Sequence, residues 1–246
     1  EWFDIRCQQC KHDFSGPVGV DIASIALTGV QQTFGPDHVN VAVALNNLGL
    51  AFGRLGDYRK QKELLERALG IEEREYGPAH VNVTITLSQL GDCLVDLEDL
   101  SKAKELLERA RVTQEREYGK DHTLTAHTLV SLARAYGRLN DGGKQKEFAQ
   151  SALSIFEAAM GPEHVLVASP LRELGDAHVQ LGAPAAAVPL LERSLAIVEQ
   201  EIGKESAKAA LTLRSLGEAQ GLAGETDAAV ERLERARGIF KREFGP

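Results

Sequence analysis

The length, composition and charge of the chain exclude several classes of protein. It has 246 residues, 43% of them hydrophobic and 26% charged, which is typical of a water-soluble globular chain. Its net charge of −8 argues against a nucleic-acid partner held through phosphate groups, which requires a basic surface. No run of about 18 apolar residues is present, so no segment is expected to insert into a membrane.

The N-terminal segment, residues 1–34, contains a candidate metal site and a predicted helix. Cys7 and Cys10 have the spacing of half a zinc site, but no second cysteine pair follows them. They are interpreted either as the tail of a small zinc-binding module that precedes residue 1 or as a pair without a ligand. Zinc at Cys7 and Cys10 is the only cofactor that the sequence suggests. Residues 18–34 are predicted to form a helix that caps the structure following it.

Three cysteines do not make a disulfide scaffold, and a cytoplasmic or other reducing intracellular compartment is therefore expected. The chain starts without Met and stops at Gly245-Pro246, so both ends are interpreted as cuts.

A motif that recurs every 42 residues dominates the rest of the chain. Each copy has a glycine preceded by an apolar residue, then two leucines three residues apart and a small residue. In the first copy these are Gly35, Leu45, Leu48 and Gly49. A fixed period of about 20–50 residues is typical of repeat architectures. The chain therefore divides into residues 1–34 and five repeats, at 35–76, 77–118, 119–160, 161–202 and 203–244.

Each repeat is predicted to form two helices, helix A near 38–54 and helix B near 57–75 in the first copy. Leu45, Leu48 and Phe52 lie at helical spacing on one face of helix A, and Gly56 interrupts the pattern. The small residue at position 49 should let the two helices approach closely. On the outer face of helix B, Glu63 and Arg67 are predicted to pair, as are their equivalents in later repeats. One hairpin cannot bury its apolar stripe alone, so neighbouring hairpins must stack.

The first copy, L-x-x-L-G-x-x-F-x-x-x-G-x-Y followed by Ala68-Leu69, resembles the tetratricopeptide repeat. The resemblance covers residues 35–244, and the 42-residue period with the runs G-P-D-H and L-N-N-L-G is similar to the kinesin light chain and nephrocystin subgroup. It implies an all-α fold, an α-solenoid in which five helical hairpins form a right-handed superhelix. It also implies that a concave groove lined by helix A holds a peptide or partner protein.

The candidate partner-binding residues lie on the face of helix A opposite the leucines. Their charges alternate along the array, and two interpretations stay open: the charges pair with one another across repeats, or the groove binds a partner of mixed charge. Gly53, Gly137 and Gly221 on this face indicate room for a partner or an early helix end. The candidate groove residues are Asn46, Asn47, Leu50, Arg54, Asp92, Asp96, Arg134, Arg138, Arg172, Asp176, Arg214 and Glu218.

Four histidines, His38, His80, His122 and His164, follow the repeat glycines by three residues. Packed helices lie about 8–10 Å apart, whereas zinc–nitrogen bonds are about 2 Å long, so histidines one repeat apart cannot share an ion. These side chains are therefore predicted to cap helix A or to pack under the turn between repeats.

The fourth repeat is predicted to be irregular. Pro170 falls inside helix A by register and Pro189 inside helix B, where proline removes a backbone donor. Alternatively, Ser169 caps helix A and Pro170 is its first residue, so that the helix starts late. Gly142 and Gly143 are expected to fray the start of helix B in the third repeat.

No catalytic motif is present, whether a G-x-S-x-G turn, a phosphate-binding glycine loop or an H-E-x-x-H helix. The chain is therefore predicted to be a non-catalytic scaffold that binds a protein or peptide. Two alternatives stay open: a structural subunit fixed in a larger assembly, or the targeting arm of an enzyme encoded upstream. The low aromatic content of 5% is compatible with the structural subunit, because binding hot spots are enriched in Trp, Tyr and Arg.

Overall fold

Helices account for nearly all of the described backbone. The computed structural model describes residues 17–244, with side chains to residue 242. This part of the chain contains no strand, and the predicted all-α fold is confirmed. Helix A of the five repeats is α2, α4, α6, α8 and α10, and helix B is α3, α5, α7, α9 and α11. The helices are α1 (Pro17–Phe34), α2 (Val39–Arg54), α3 (Tyr58–Tyr76), α4 (Thr84–Asp96), α5 (Leu100–Tyr118), α6 (Thr123–Arg138), α7 (Gly142–Met160), α8 (Ala168–Gln180), α9 (Pro184–Glu201), α10 (Ala207–Ala223) and α11 (Thr226–Phe244).

The chain forms two compact units, Glu1–Glu117 and Tyr118–Pro246. In the first unit α1 packs against α2, and Leu27 contacts a core that includes Leu45. In the second unit, one continuous core joins the three repeats, and leucines at the same position of successive helices A lie in it: Leu129, Leu171 and Leu213. Within each unit, neighbouring hairpins thus bury each other's apolar faces.

The small residue on helix A lies directly against helix B. A Cβ atom built on Gly91 would be 2.5 Å from Cγ of Leu107, and one on Gly175 would be 2.6 Å from Cγ of Leu191. Real Cβ atoms do not approach so closely, so a larger residue would push the two helices apart. The predicted role of this position in helix packing is confirmed.

The turn from helix A to helix B requires a residue with positive φ in every repeat. Glycine fills this position in three repeats, at Gly56, Gly182 and Gly224. Glu98 and Asn140 take the same position in the second and third repeats, with φ of 62° and 58°. A non-glycine residue is strained in this region, and asparagine tolerates it better than glutamate.

The four histidines are N-caps, as predicted: His38 and His122 cap α2 and α6, whereas His80 and His164 cap the 3-10 turns that precede α4 and α8. In each case Nδ1 accepts a hydrogen bond from the backbone N–H two residues later, at 3.1–3.3 Å. The imidazole rings of His38, His80 and His122 also stack on the aromatic ring four residues earlier, at centroid distances of 4.6–5.1 Å. In the fifth repeat, the Ser206 hydroxyl is the cap. The histidine column is therefore structural in the described residues.

The predicted pairing of Glu63 with Arg67 and of its equivalents is wrong. Arg67 donates instead to the carbonyl oxygen of Pro36, in the turn that opens its own repeat, at 3.1 Å. Arg109 contacts the carbonyl oxygen of Pro78 in the same way, at 2.6 Å, and also forms an ion pair with Glu73 of the preceding helix B. Arg109 therefore joins successive repeats, a contact that spacing within one helix cannot reveal.

The prolines disturb the fourth repeat less than predicted. A 3-10 turn, Val165–Val167, precedes α8, and Ser169 is a helical residue rather than the cap. Pro170 is the third residue of α8, where the backbone N–H has no intrahelical partner in any case. The second repeat has the same 3-10 turn without a proline, so Pro170 is not its cause. Pro189 lies inside α9 without ending it.

The glycine pair of the third repeat also has a packing role. α7 begins at Gly142, and the side chain of Asp141 caps it by accepting from the backbone N–H of Lys144 at 3.0 Å. A Cβ atom on Gly142 would be 3.0 Å from Cβ of Gln180 on α8. Gly142 therefore allows the next repeat to approach the start of α7.

Candidate functional site

The candidate site lies on one side of each helix A. We use the name helix-A face for the side chains equivalent to positions 43, 46, 47, 50 and 54 of the first repeat, which recur at helical spacing. Along α2, Val43 and Arg54 are exposed, whereas Asn47 and Leu50 are half-buried. Asp92 and Asp96 on α4 are half-buried as well. The helix-A face is thus accessible in the first unit at most of its positions.

Asn46 is an exception, because its side chain is only 9% exposed. Its Nδ2 atom donates to Oγ1 of Thr86 at 2.6 Å and to Oε1 of Glu72 at 3.3 Å. Thr86 belongs to helix A of the second repeat and Glu72 to helix B of the first. The amide of Asn46 therefore holds successive repeats together, and a partner would not reach it without rearrangement.

In the fourth and fifth repeats, the charges of the helix-A face are compensated within their own helices. Arg172 forms ion pairs with Glu173 and, through Nη1, with Oδ2 of Asp176 at 3.0 Å. Arg214 and Glu218 form a looser pair at 3.9 Å, and both are exposed. For the fourth and fifth repeats, charge pairing therefore occurs along each helix rather than across repeats.

The Arg172 cluster is largely buried. Burial raises the pKa of Asp176 to about 6, although the charge of Arg172 and a hydrogen bond with Ser215 oppose this shift. Oε2 of Glu173 accepts from Nε2 of Gln145, on helix B of the third repeat, at 2.9 Å. This cluster therefore connects the third, fourth and fifth repeats of the second unit.

Two arginines of the third repeat complete the predicted basic residues. Arg138 is exposed and Arg134 is half-buried. Arg134 lies close enough to Arg172 for the two positive charges to act on each other. Arg172 itself is neutralised by its carboxylate partners, Glu173 and Asp176.

Gly53 and Gly137 do not leave room for a partner, whereas a Cβ atom on Gly221 would meet only Cβ of Ala229, at an ordinary contact distance of 3.6 Å. A Cβ atom on Gly53 would be 2.7 Å from Cδ of Gln61, and one on Gly137 would be 2.5 Å from Nε2 of Gln145. Both glutamines are buried side chains of helix B. The interpretation that Gly53 and Gly137 provide space for a partner is therefore wrong, because the protein's own glutamines fill that space.

Sequence analysis missed two residues of the helix-A face. Val43 is 51% exposed and Ile85 is 36% exposed, and they occupy equivalent positions on α2 and α4. Each lies seven residues before a predicted groove residue, Leu50 or Asp92, and hence on the same side of its helix. Extending the helical period toward the N-terminus of helix A would have identified them.

The cysteines give no evidence of metal chemistry in the described part of the chain. Cys7 and Cys10 lie outside the described residues, so zinc at that position remains a prediction. Cys93 is buried, donates to the carbonyl oxygen of Tyr58 at 3.1 Å, and has its pKa raised to about 11, mainly by burial. Such a thiol is unreactive. Residues 17–244 contain no group of three or more His, Cys, Asp or Glu side chains suited to a metal ion.

None of the helices between residues 17 and 244 has the length and apolar character needed to cross a membrane.

Comparison with known proteins supports the repeat assignment. A family model described as tetratricopeptide repeat matches residues 20–71, 62–111, 85–141, 146–200 and 185–242, and a second model with the same description matches residues 125–166. No curated protein matches the sequence.

Several solved structures have the same fold. BtubC (BKLC) from P. vanneervenii is 21% identical with a TM-score of 0.68, over 93% of this chain and 92% of that chain. A kinesin-light-chain-type protein of Podosopora anserina, with nearly identical TPR-like repeats, is 23% identical with a TM-score of 0.63, over 83% and 97%. A Rap protein in complex with competence and sporulation factor is 14% identical with a TM-score of 0.68, over 92% and 65%. Because the family models span most of the sequence, the chain belongs to the tetratricopeptide repeat family.

Proposed function

We propose that this chain is a non-catalytic interaction module that binds a peptide or partner protein on its helix-A face. The observation that carries this proposal is the exposure of Val43 and Ile85 at equivalent positions of two neighbouring helices A. Large aliphatic side chains at these positions would lose contact with water when a partner covers them, and burial of apolar surface favours binding.

The rest of the helix-A face on α2 defines the chemistry of a fitting partner. Asn47 and Leu50 follow Val43 along the helix, and Arg54 ends it with an exposed positive charge. From Val43 to Arg54 the helix rises by about 16 Å, which an extended segment of about five residues would span. A partner segment with an apolar side chain near Val43 and an acidic group near Arg54 would match this face.

The third repeat supports the same preference for acidic groups. Arg134 and Arg138 are the basic residues of the helix-A face on α6, and a bound segment is expected to carry acidic residues opposite them. Arg172 lies on the next helix A, where Glu173 and Asp176 neutralise its charge.

Family membership favours an interaction function over an enzymatic one, since tetratricopeptide repeat proteins are generally non-catalytic scaffolds. Among proteins of similar fold, the Rap protein is seen in complex with competence and sporulation factor. The alternatives are a structural subunit fixed in a larger assembly and the targeting arm of a larger enzyme.

The test compares partner capture by three forms of the chain. The first is the wild type, the second carries Val43→Glu and Ile85→Glu on the helix-A face, and the third carries Val112→Glu. Val112 is a matched control, because it is a 56% exposed aliphatic residue on α5, a helix B. Proteins captured from native extract and identified by mass spectrometry are then retested as purified partners.

We expect the double variant to lose partners that the Val112→Glu variant retains. The opposite result, with partners lost only by the Val112→Glu variant, would replace groove binding with the structural-subunit interpretation.

Reversing Arg134 and Arg138 to Glu tests the charge preference in the same assay. Its controls are Arg59→Glu and Arg237→Glu, at exposed helix-B positions. Arg67 and Arg109 are unsuitable controls, because each donates a hydrogen bond to a carbonyl oxygen in the turn that opens its repeat.

A further inference from the structure

A carboxyl group is buried where the first two repeats meet. Glu72 on α3 is only 5% exposed. Asn46 on α2 donates to its Oε1 atom at 3.3 Å, and the hydroxyl of Thr86 on α4 also forms a hydrogen bond with it. Nδ2 of Asn46 also donates a hydrogen bond to Oγ1 of Thr86, at 2.6 Å. The three side chains therefore join two successive helices A through the helix B between them.

This cluster has more acceptors than donors. Oε2 of Glu72 and Oδ1 of Asn46 are both buried, and neither has a hydrogen-bond partner in the described structure. An ionised carboxylate can only accept hydrogen bonds, whereas a protonated carboxyl group has one O–H donor. A proton on Glu72 would therefore supply a missing donor and remove a buried negative charge, both of which favour the packed junction.

The surrounding charges do little to stabilise an ionised Glu72. The one charge that acts on it among the described residues is Glu73, which has the same sign and is itself in an ion pair with Arg109. The helices packed against α3 are α2 and α4, and each carries its charged residues only in its C-terminal half. These residues are Arg54 on α2 and Asp92 and Asp96 on α4. The remaining titratable side chains are His38 and His80, which lie just before these two segments. Among residues 17–242, no positive charge therefore compensates the carboxylate directly.

Burial is the main cause that raises the pKa of Glu72 from 4.5 to about 7. The hydrogen bonds from Thr86 and Asn46 lower the pKa, but by less than burial raises it, and Glu73 raises it slightly further. A group whose pKa is higher in the folded state stabilises the fold at low pH. This contribution is complete below about pH 4.5 and is lost as the pH rises through about 7.

We propose that Glu72 carries a proton when the first two repeats are packed together, and that loss of this proton near neutral pH weakens their junction. The junction is then a pH-sensitive coupling between repeats. This inference is independent of the proposed partner binding.

The experiment compares the full chain with Glu72→Gln, an isosteric substitute for the protonated carboxyl group. Glu75→Gln is the matched control, because Glu75 is an exposed residue on the same helix. Unfolding is followed by circular dichroism between pH 5 and 9. We expect the unfolding equilibrium constants of Glu72→Gln and the wild type to differ by only about a few-fold at pH 5, and the variant to be more stable at pH 9 by on the order of 100-fold. A difference that is the same at every pH would overturn the proposal.

A second measurement does not depend on unfolding. In carbon-13 NMR of the glutamate carboxyl groups, the signal of Glu72 is the one missing from the Glu72→Gln variant. Its titration midpoint is expected near pH 7, whereas a midpoint near 4.5 would overturn the proposal even if the melting curves agree with it.

Discussion

Gly175 on α8 and Leu191 on α9 fit so closely that a Cβ atom on the glycine would lie 2.6 Å from Cγ of the leucine. The third repeat fills the same two positions with Ala133 and Ala149, both fully buried. A larger residue on helix A is thus accompanied by a smaller one on helix B, and the distance between the two helices can stay similar.

Gly175→Ala is expected to destabilise the protein by about 1–3 kcal/mol, because the added methyl group overpacks a closed contact. The measurement is chemical denaturation. Gly70→Ala is the matched control: Gly70 lies inside α3, and a methyl group added there would meet no neighbouring helix or side chain within 4 Å. It should stabilise the protein by up to about 1 kcal/mol, since alanine favours helix. The same sign of change for both variants would contradict the packing argument.

A double-mutant cycle tests the pairing itself. Leu191→Ala alone should destabilise by about 2–5 kcal/mol through loss of buried volume. Combining it with Gly175→Ala recreates the pair of the third repeat. The destabilisation of the double variant should then be smaller than the sum of the two single effects, by on the order of 1 kcal/mol. Simple additivity would show that the two positions do not compensate each other.

Glu98→Gly is expected to stabilise the protein by up to about 1 kcal/mol. Glu98 takes a φ of 62° in a turn where other repeats have glycine, and an L-residue is strained there. Asn140→Gly should have a smaller effect, because asparagine adopts this conformation more readily. Equilibrium denaturation of both variants checks the order, and a larger gain at Asn140 than at Glu98 would argue against relief of strain.

The fold could be predicted from the sequence because the repeat supplies five copies of one pattern. Helix positions follow from the apolar spacing, and the histidine caps follow from their place just before helix A. The cap prediction holds because it concerns neighbours along the chain, which the sequence shows directly.

The candidate site could be predicted less well, because its details depend on contacts between different helices. Spacing pairs Arg67 with a residue of its own helix, yet it donates to the turn that opens its repeat. Asn46 has the spacing of a surface residue, yet Thr86 of the next repeat helps to bury it. Gly53 suggests an open face until Gln61 is placed against it. Periodicity within one helix defines a face but not what covers it.

His122→Ala should destabilise the protein by about 1 kcal/mol, because the backbone N–H of Leu124 loses its acceptor at the start of α6. His122→Asn should recover most of this loss, since asparagine is a good N-cap residue. Thermal unfolding of the two variants distinguishes capping from stacking on Tyr118. If asparagine is as harmful as alanine, the ring contact at 4.6 Å is the more important interaction.

Arg172→Met is expected to destabilise the protein strongly at pH 8 and less at pH 5. Arg172 is the cation that neutralises Glu173 and Asp176. Its removal leaves two largely buried carboxylates without this ion-pair partner, at a cost of about 3–5 kcal/mol. The pKa of Asp176 is already raised to about 6 by burial, with Arg172 opposing this shift, so the variant should raise it further. A carboxyl group with a raised pKa in the folded state loses its stabilising contribution as the pH rises, which gives the larger effect at pH 8.

Arg214→Met is the matched control, because the ion pair of Arg214 with Glu218 is exposed and 3.9 Å long. A loss of stability of about 0–1 kcal/mol is expected for this variant. Denaturation at the two pH values decides: an equal loss at pH 5 and pH 8 for Arg172→Met would show that the loss comes from packing rather than from the buried charges.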